Sequence, residues 1–114
     1  MPIIEQNTIS AKNKAGGKGE IFITNLLTPA EMVGKCEMFA KVRIPVGASL
    51  GVHQQVGNNE TYHILQGTAA YTDNKEVYAV KAGDTTFCAD GDFHGIETVG
   101  DEDLIFIALI ISTK

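Results

Sequence analysis

The chain has 114 residues, 44% of them hydrophobic and 20% charged, with a formal net charge of −5. That is the length of one domain, long enough to bury roughly two-thirds of its unfolded surface without disulfide staples. The weakly acidic balance, with lysines scattered and no basic stripe, argues against a nucleic-acid partner.

Residues 1–19 carry few periodic apolar positions and are expected to form an N-terminal loop segment ahead of a single domain over 20–114. The start, Met1-Pro-Ile-Ile-Glu, has no basic-then-apolar run, so no signal peptide is expected. The lysine- and glycine-rich stretch 12–19 reads as a mobile loop. Its spacing does not match a phosphate-binding loop.

Residues 20–27 read as a strand. Thr28-Pro29 can open one helical turn or a plain turn. Residues 36–44 alternate well: Cys36, Met38, Ala40, Val42 and Ile44 share one face, with Glu37, Lys41 and Arg43 on the other. Phe39 interrupts the polar face, which suggests cover from a second subunit.

After Pro45-Val-Gly47, short strands recur over 50–55, 61–66, 68–72, 76–80, 84–88, 94–99 and 104–112. Glycine, aspartate and asparagine punctuate them. The apolar run 104–111 is far too short to span a bilayer and reads as a buried strand, so no membrane partner is expected. Many short strands at regular spacing predict an all-β sandwich or barrel. Cys36 and Cys88 form no close-spaced motif and read as reduced, mostly buried thiols of a cytoplasmic protein.

The candidate chemistry lies in two glycine-framed segments. His53 and Gln55 share a strand face by alternation. Glu60 follows the Gly57-Asn-Asn59 turn, and His94 opens a later strand. Two imidazoles and one carboxylate are a common donor set for a divalent metal with open positions left for substrate.

These residues resemble the two motifs of the cupin family. The first motif runs glycine, five residues, His-x-His, three or four residues, glutamate, six residues, glycine. Gly47, His53, Glu60 and Gly67 match it, and Gln55 stands where the second histidine is usual. The second motif runs glycine, five residues, Pro-x-Gly, two residues, histidine, three residues, asparagine. Gly83, Gly91 and His94 match it, with Ala89 in place of the proline and Thr98 in place of the asparagine.

The resemblance covers about residues 36 to 111. It implies a double-stranded β-helix, or jelly-roll barrel, with His53, Gln55, Glu60 and His94 as ligands of a divalent ion (Mn, Fe, Ni or Zn). An amide oxygen is a harder and weaker donor than imidazole, which favours Mn(II) or Fe(II). Alternatively, Gln55 hydrogen-bonds a metal-bound water.

Met38, Tyr62 and Ile64 are candidate pocket residues, the last two by alternation from Glu60; His63 points away. Two functions stay open. One is a metal-dependent enzyme on a small polar molecule, of dioxygenase or isomerase type. The other is a non-catalytic module that binds a carbohydrate or small carboxylate. A homodimer is expected, with residues 21–27 and the Phe39 face covered by the partner.

Overall fold

The computed structural model describes residues 2–114; Met1, the start of the expected loop segment, lies outside them. Ten strands follow one another: β1 Asn7–Lys12, β2 Glu20–Asn25, β3 Cys36–Ile44, β4 Ser49–Gln54, β5 Asn58–Gln66, β6 Thr68–Asp73, β7 Glu76–Lys81, β8 Thr85–Cys88, β9 Phe93–Val99 and β10 Leu104–Ser112. One helical turn, α1 Pro29–Met32, separates β2 from β3. Glu31 anchors its start by accepting from both Thr28 N and Thr28 Oγ1 at 2.8 Å.

The strands form two antiparallel sheets. One has the order β1-β2-β3-β10-β5-β8, the other β4-β9-β6-β7. Strands distant in sequence thus become neighbours, and the architecture is the double-stranded β-helix expected from the sequence. Alternation decides what each sheet turns inward. On β3, Ala40, Val42 and Ile44 are buried while Lys41 is exposed. On β10, Leu104, Phe106 and Ala108 are buried. These meet Ile21, Ile23 and Ile64 of the same sheet and Leu50, Ala69, Tyr71 and Ile96 of the other in one core. Thr98 is also buried, and its Oγ1 donates to the Ile44 carbonyl at 2.7 Å across the two sheets.

The N-terminal segment departs from expectation. Asn7–Lys12 is a strand that pairs residue for residue with Glu20–Asn25. Both faces of β1 are largely exposed, so no apolar periodicity marks it. The stretch between β1 and β2 is also pinned rather than loose. Lys18 and Ser49 exchange hydrogen bonds, Ser49 N to Lys18 O and Lys18 N to Ser49 Oγ, both at 2.9 Å. Gly17 and Gly51 allow this contact, because a Cβ on Gly51 would collide with the Ala15 carbonyl and one on Gly17 with the Ser49 carbonyl. A short 3-10 turn, Lys14–Gly16, is thereby held over β4.

The inner face of β2 is filled within the chain itself. Ile21 and Ile23 are buried in this chain's own core, and Phe22 lies under the Arg43 guanidinium, 4.2 Å from ring centre to Cζ.

Candidate metal centre

β4 and β9 pair so that His53 stands directly opposite His94, just past a bulge between Leu50 and His53. The bulge turns His53 inward. Asp73, the last residue of β6, pairs with His94 on the other side. The tip of the β6–β7 hairpin holds this corner. Asn74 N donates to Phe93 O at 2.8 Å, and Phe93 N donates to Asn74 Oδ1 at 3.0 Å. Glu60 comes from the other sheet, within β5, opposite Cys88 of β8. It had been expected at the exit of a turn, but β5 already begins at Asn58.

The three side chains converge. One ligating atom from each of His53, Glu60 and His94 lies within 4.8 Å of the others. His94 Nε2 is 2.9 Å from Glu60 Oε1, and His53 Nε2 is 3.7 Å from the same oxygen. The two imidazoles meet edge to face, with centroids 4.7 Å apart. Donors at about 2.1 Å from one ion stand about 3 Å apart when adjacent and about 4.2 Å when opposite. The two distances to Glu60 Oε1, 2.9 and 3.7 Å, fall within that range.

The hydrogen-bond partners of these side chains fit a metal as well. His53 Nδ1 donates to the Gly51 carbonyl at 2.9 Å, which leaves the Nε2 lone pair aimed at the cluster. His94 is fully buried, and its Nδ1 is 2.8 Å from Tyr71 Oη. With Nε2 bonded to Glu60, Nδ1 accepts the Tyr71 hydroxyl proton. With Nε2 as a metal ligand, the ring would carry its proton on Nδ1 and donate it to Tyr71 Oη instead. The tyrosine proton then needs a new acceptor. Thr86 Oγ1, a buried oxygen that acts on Tyr71 and makes no hydrogen bond among the described residues, would then be free to accept it. Burial pushes the Tyr71 phenol up to about 12, so it stays a neutral hydroxyl.

Gln55 directly follows β4. It is buried, and its Nε2 donates to Asn58 Oδ1 at 2.6 Å, while Asn58 Nδ2 donates to Glu37 Oε1 at 2.9 Å. The amide is oriented through its nitrogen, and Oε1 is its free end. Tyr62 stacks on His94 at 4.8 Å, with its Oη 3.4 Å from both Glu60 Oε1 and His94 Nε2. Burial, together with the Glu60 charge, holds the Tyr62 phenol well above its usual range.

The cluster borders a cavity of about 470 Å³. His53, Gln55, Glu60 and Tyr62 give it polar groups, and Met38 of β3 also lines it. Ile64 does not line it; it is fully buried in the core, one inward position beyond Tyr62. His63 points outward and bonds Thr85 Oγ1 at 2.9 Å.

Two contributors escaped the sequence reading. Tyr71 carried a signal, since it alternates with Ala69 and a buried tyrosine hydroxyl needs a partner. Lys14 carried none: it reaches the cavity rim only because the preceding loop is clamped to β4.

The electrostatics favour a charged pair in the metal-free chain. The hydrogen bond to Glu60 raises His53 above the ordinary imidazole value of 6.5, against desolvation by burial. Burial opposes the charge on Glu60, but hydrogen bonds from His53 and His94 outweigh it and hold the carboxyl below its usual 4.5.

The two groups act on opposite sides of pH. The His53 contribution to stability is fully present below 6.5 and is lost as pH rises through its raised folded value. The Glu60 contribution is present above 4.5 and is lost as pH falls through its depressed folded value. Metal-free protein is therefore expected to melt highest between these limits. Metal affinity should start to fall above pH 6.5 on acidification, because a ligating His53 must be neutral. Melting curves and metal titrations from pH 4 to 9 check both signs. A pH-independent metal affinity above pH 5 would remove His53 from the ligand set.

A double-stranded β-helix with an inward-facing His–Glu–His cluster defines a recognisable class of protein. The family model described as the cupin domain matches residues 40–110, and the chain belongs to the cupin family. It is 41% identical over 99 residues to an oxalate-binding protein of Thermotoga maritima, covering 87% of this chain and 82% of that one. It is 33% identical over 79 residues to an uncharacterized protein of Methanocaldococcus jannaschii, covering 69% and 63%. Among solved structures, a predicted oxalate decarboxylase from Thermotoga maritima superposes with a TM-score of 0.91 at 39% identity, covering 95% of this chain and 94% of that one. A cupin 2 conserved barrel domain protein from Rhodopseudomonas palustris shares the fold with a TM-score of 0.79 at 13% identity, covering 96% and 73%. No helix among the described residues is long and apolar enough to cross a membrane.

Proposed function

We propose that this chain holds one divalent metal ion on His53, Glu60 and His94, with Gln55 Oε1 as a fourth donor, and binds a small carboxylate in the adjoining cavity. The carrying observation is the convergence of the three donors within 4.8 Å, with His53 and Glu60 on the cavity wall and His94 buried behind them. The 41% identity to a protein that binds oxalate supports a carboxylate as the ligand. A divalent ion supplies a positive, Lewis-acidic centre for such a group. The Tyr62 hydroxyl, held neutral, offers a hydrogen bond beside that centre. The apolar wall keeps water away and strengthens both interactions. Lys14, at the rim, adds the one Lys or Arg charge among the described residues that line the cavity.

Elemental analysis of protein purified without added metal, followed by titration with oxalate, tests this reading. About one ion per chain is expected, with oxalate bound by loaded protein and not by stripped protein. A chain that takes up none of Mn(II), Fe(II), Ni(II) or Zn(II) overturns it.

A catalytic role is the second reading, favoured by the likeness to a predicted oxalate decarboxylase. Release of carbon dioxide or uptake of dioxygen by loaded protein separates catalysis from binding. Tyr62 is then the candidate proton donor, being the one neutral hydroxyl within 3.4 Å of the cluster on the cavity wall.

Gln55→His is expected to tighten Zn(II) and Ni(II) binding about tenfold or more, since imidazole is the better donor for later divalent metals. Calorimetric titration of stripped protein measures it. An unchanged affinity would place Gln55 outside the ligand set, as a hydrogen-bond partner of metal-bound water.

We further propose a cytoplasmic homodimer. Two free thiols suit a reducing compartment. The outer face of the larger sheet carries a row in register, Phe39 beside Leu109, Leu109 beside Thr61, and Thr61 beside Phe87. Phe87 is 60% exposed. An apolar row of this kind favours self-association through a two-fold axis. Phe39→Asp should raise the dimer dissociation constant about tenfold or more. Metal binding should survive, because Met38 and Phe39 face opposite sides of β3. Light scattering showing a monomer of the unaltered chain at micromolar concentration removes the proposal.

A further inference from the structure

The cavity is built for more than oxalate. At about 470 Å³ it falls within the roughly 300–1,000 Å³ of small-molecule sites. Oxalate has few atoms. Even allowing each heavy atom the roughly 30 Å³ that a water takes in the liquid, oxalate fills about 180 Å³. The remaining space is not polar. The donor groups lie on β4, just after it and on β5, whereas the strands running away from β5 across the sheet, β10, β3 and β2, contribute Phe106, Ala108, Ile110, Met38, Val42 and Ile23. None of these six offers a side-chain hydrogen bond, and nothing along that wall would neutralise a second carboxylate. A charge directed there would be desolvated without a partner, which is costly. Lys14 does not belong to that wall. It stands on the 3-10 turn held over β4, the strand that carries His53.

We infer that the preferred ligand is a 2-oxo carboxylate with an aliphatic tail, its two adjacent head oxygens at the His53–Glu60–His94 cluster and its tail along the β2–β3–β10 wall. Such a molecule is oxalate with one carboxylate replaced by an acyl chain. The pair of neighbouring oxygens is kept, one negative charge remains for Lys14 and the metal, and the second charge gives way to carbon that the wall can bury. This inference rests on the metal and carboxylate reading above and adds the chemical class of the ligand to it.

The test is a chain-length series on the unaltered protein loaded with Mn(II), titrated calorimetrically with oxalate, pyruvate, 2-oxobutanoate, 2-oxopentanoate and 2-oxohexanoate. Each added methylene buried on the wall should tighten binding about fourfold, the equivalent of ~0.8 kcal/mol per CH₂. By 2-oxohexanoate the affinity should exceed that for pyruvate by roughly fiftyfold or more. Two variants narrow the tail region, Val42→Phe and, at a half-buried position more tolerant of bulk, Met38→Phe. Either should flatten the gradient, with metal uptake in the same sample reporting that the site is folded.

A flat series in which oxalate still binds tightest overturns the aliphatic-tail inference and leaves the carboxylate reading standing. Loaded protein that binds neither oxalate nor any 2-oxo acid overturns both. A rising series that persists unchanged in both folded variants overturns the placement of the tail on this wall.

Discussion

Replacing His94 with alanine is expected to lower divalent-metal affinity by more than about a hundredfold, beyond the 10–100-fold typical of losing an outer hydrogen-bond partner of a ligand. His94 is fully buried, stands 2.9 Å from Glu60 Oε1 and is held through Nδ1 by Tyr71 at 2.8 Å. Its removal takes away a donor and leaves both Glu60 and the Tyr71 hydroxyl short of a partner. Water can replace an imidazole as a ligand only at a large loss, because the enclosed position does not hold it in place. Metal titration of the variant measures the effect. A melting curve of the metal-free variant shows that the barrel persists. An affinity within tenfold of the unaltered chain would show that the ion sits elsewhere.

The largest effect on stability is expected at Phe106. Its side chain is fully buried on β10, and its ring packs against Tyr62 with centroids 4.4 Å apart. Phe106→Ala removes most of a ring from the junction between core and cavity and should cost about 3–5 kcal/mol. In a domain of this size that lowers the melting temperature by roughly 10–25 °C. The site should suffer less than the fold, since His53 and His94 are held by the other sheet and only Glu60 shares the sheet of Phe106. Thermal denaturation of the metal-free protein is the measurement. A fall of under about 5 °C would mean that the wall relaxes into the neighbouring cavity and refills the space.

Strand positions were legible wherever one face is core and the other solvent. β3 and β10 have the bounds that alternation and apolar content predict, Cys36–Ile44 and Leu104–Ser112. β1 was not legible, because its six residues are largely exposed on both faces and owe their extended form to pairing with β2. Ile64 shows the same limit from the other side. Alternation correctly turned it inward with Glu60 and Tyr62, but period alone cannot tell a cavity wall from a filled core.

The sequence by itself determined the donor chemistry and the inward face. Two histidines, a glutamate and a glutamine at motif spacing supply candidate oxygen and nitrogen donors, and the two-residue period of a strand puts His53 and Gln55 on one face, and Glu60 and Tyr62 on one face of the next. Both are local properties, set by residue type and by backbone geometry over a few positions. Only the tertiary structure decided which strands become neighbours. It set His53 opposite His94, brought Glu60 over from the other sheet, placed Tyr71 and Thr86 behind His94, and clamped the Lys14 loop onto β4. Those placements depend on pairing between segments tens of residues apart. Burial of the shared core selects that pairing, and no short stretch of the chain encodes it alone.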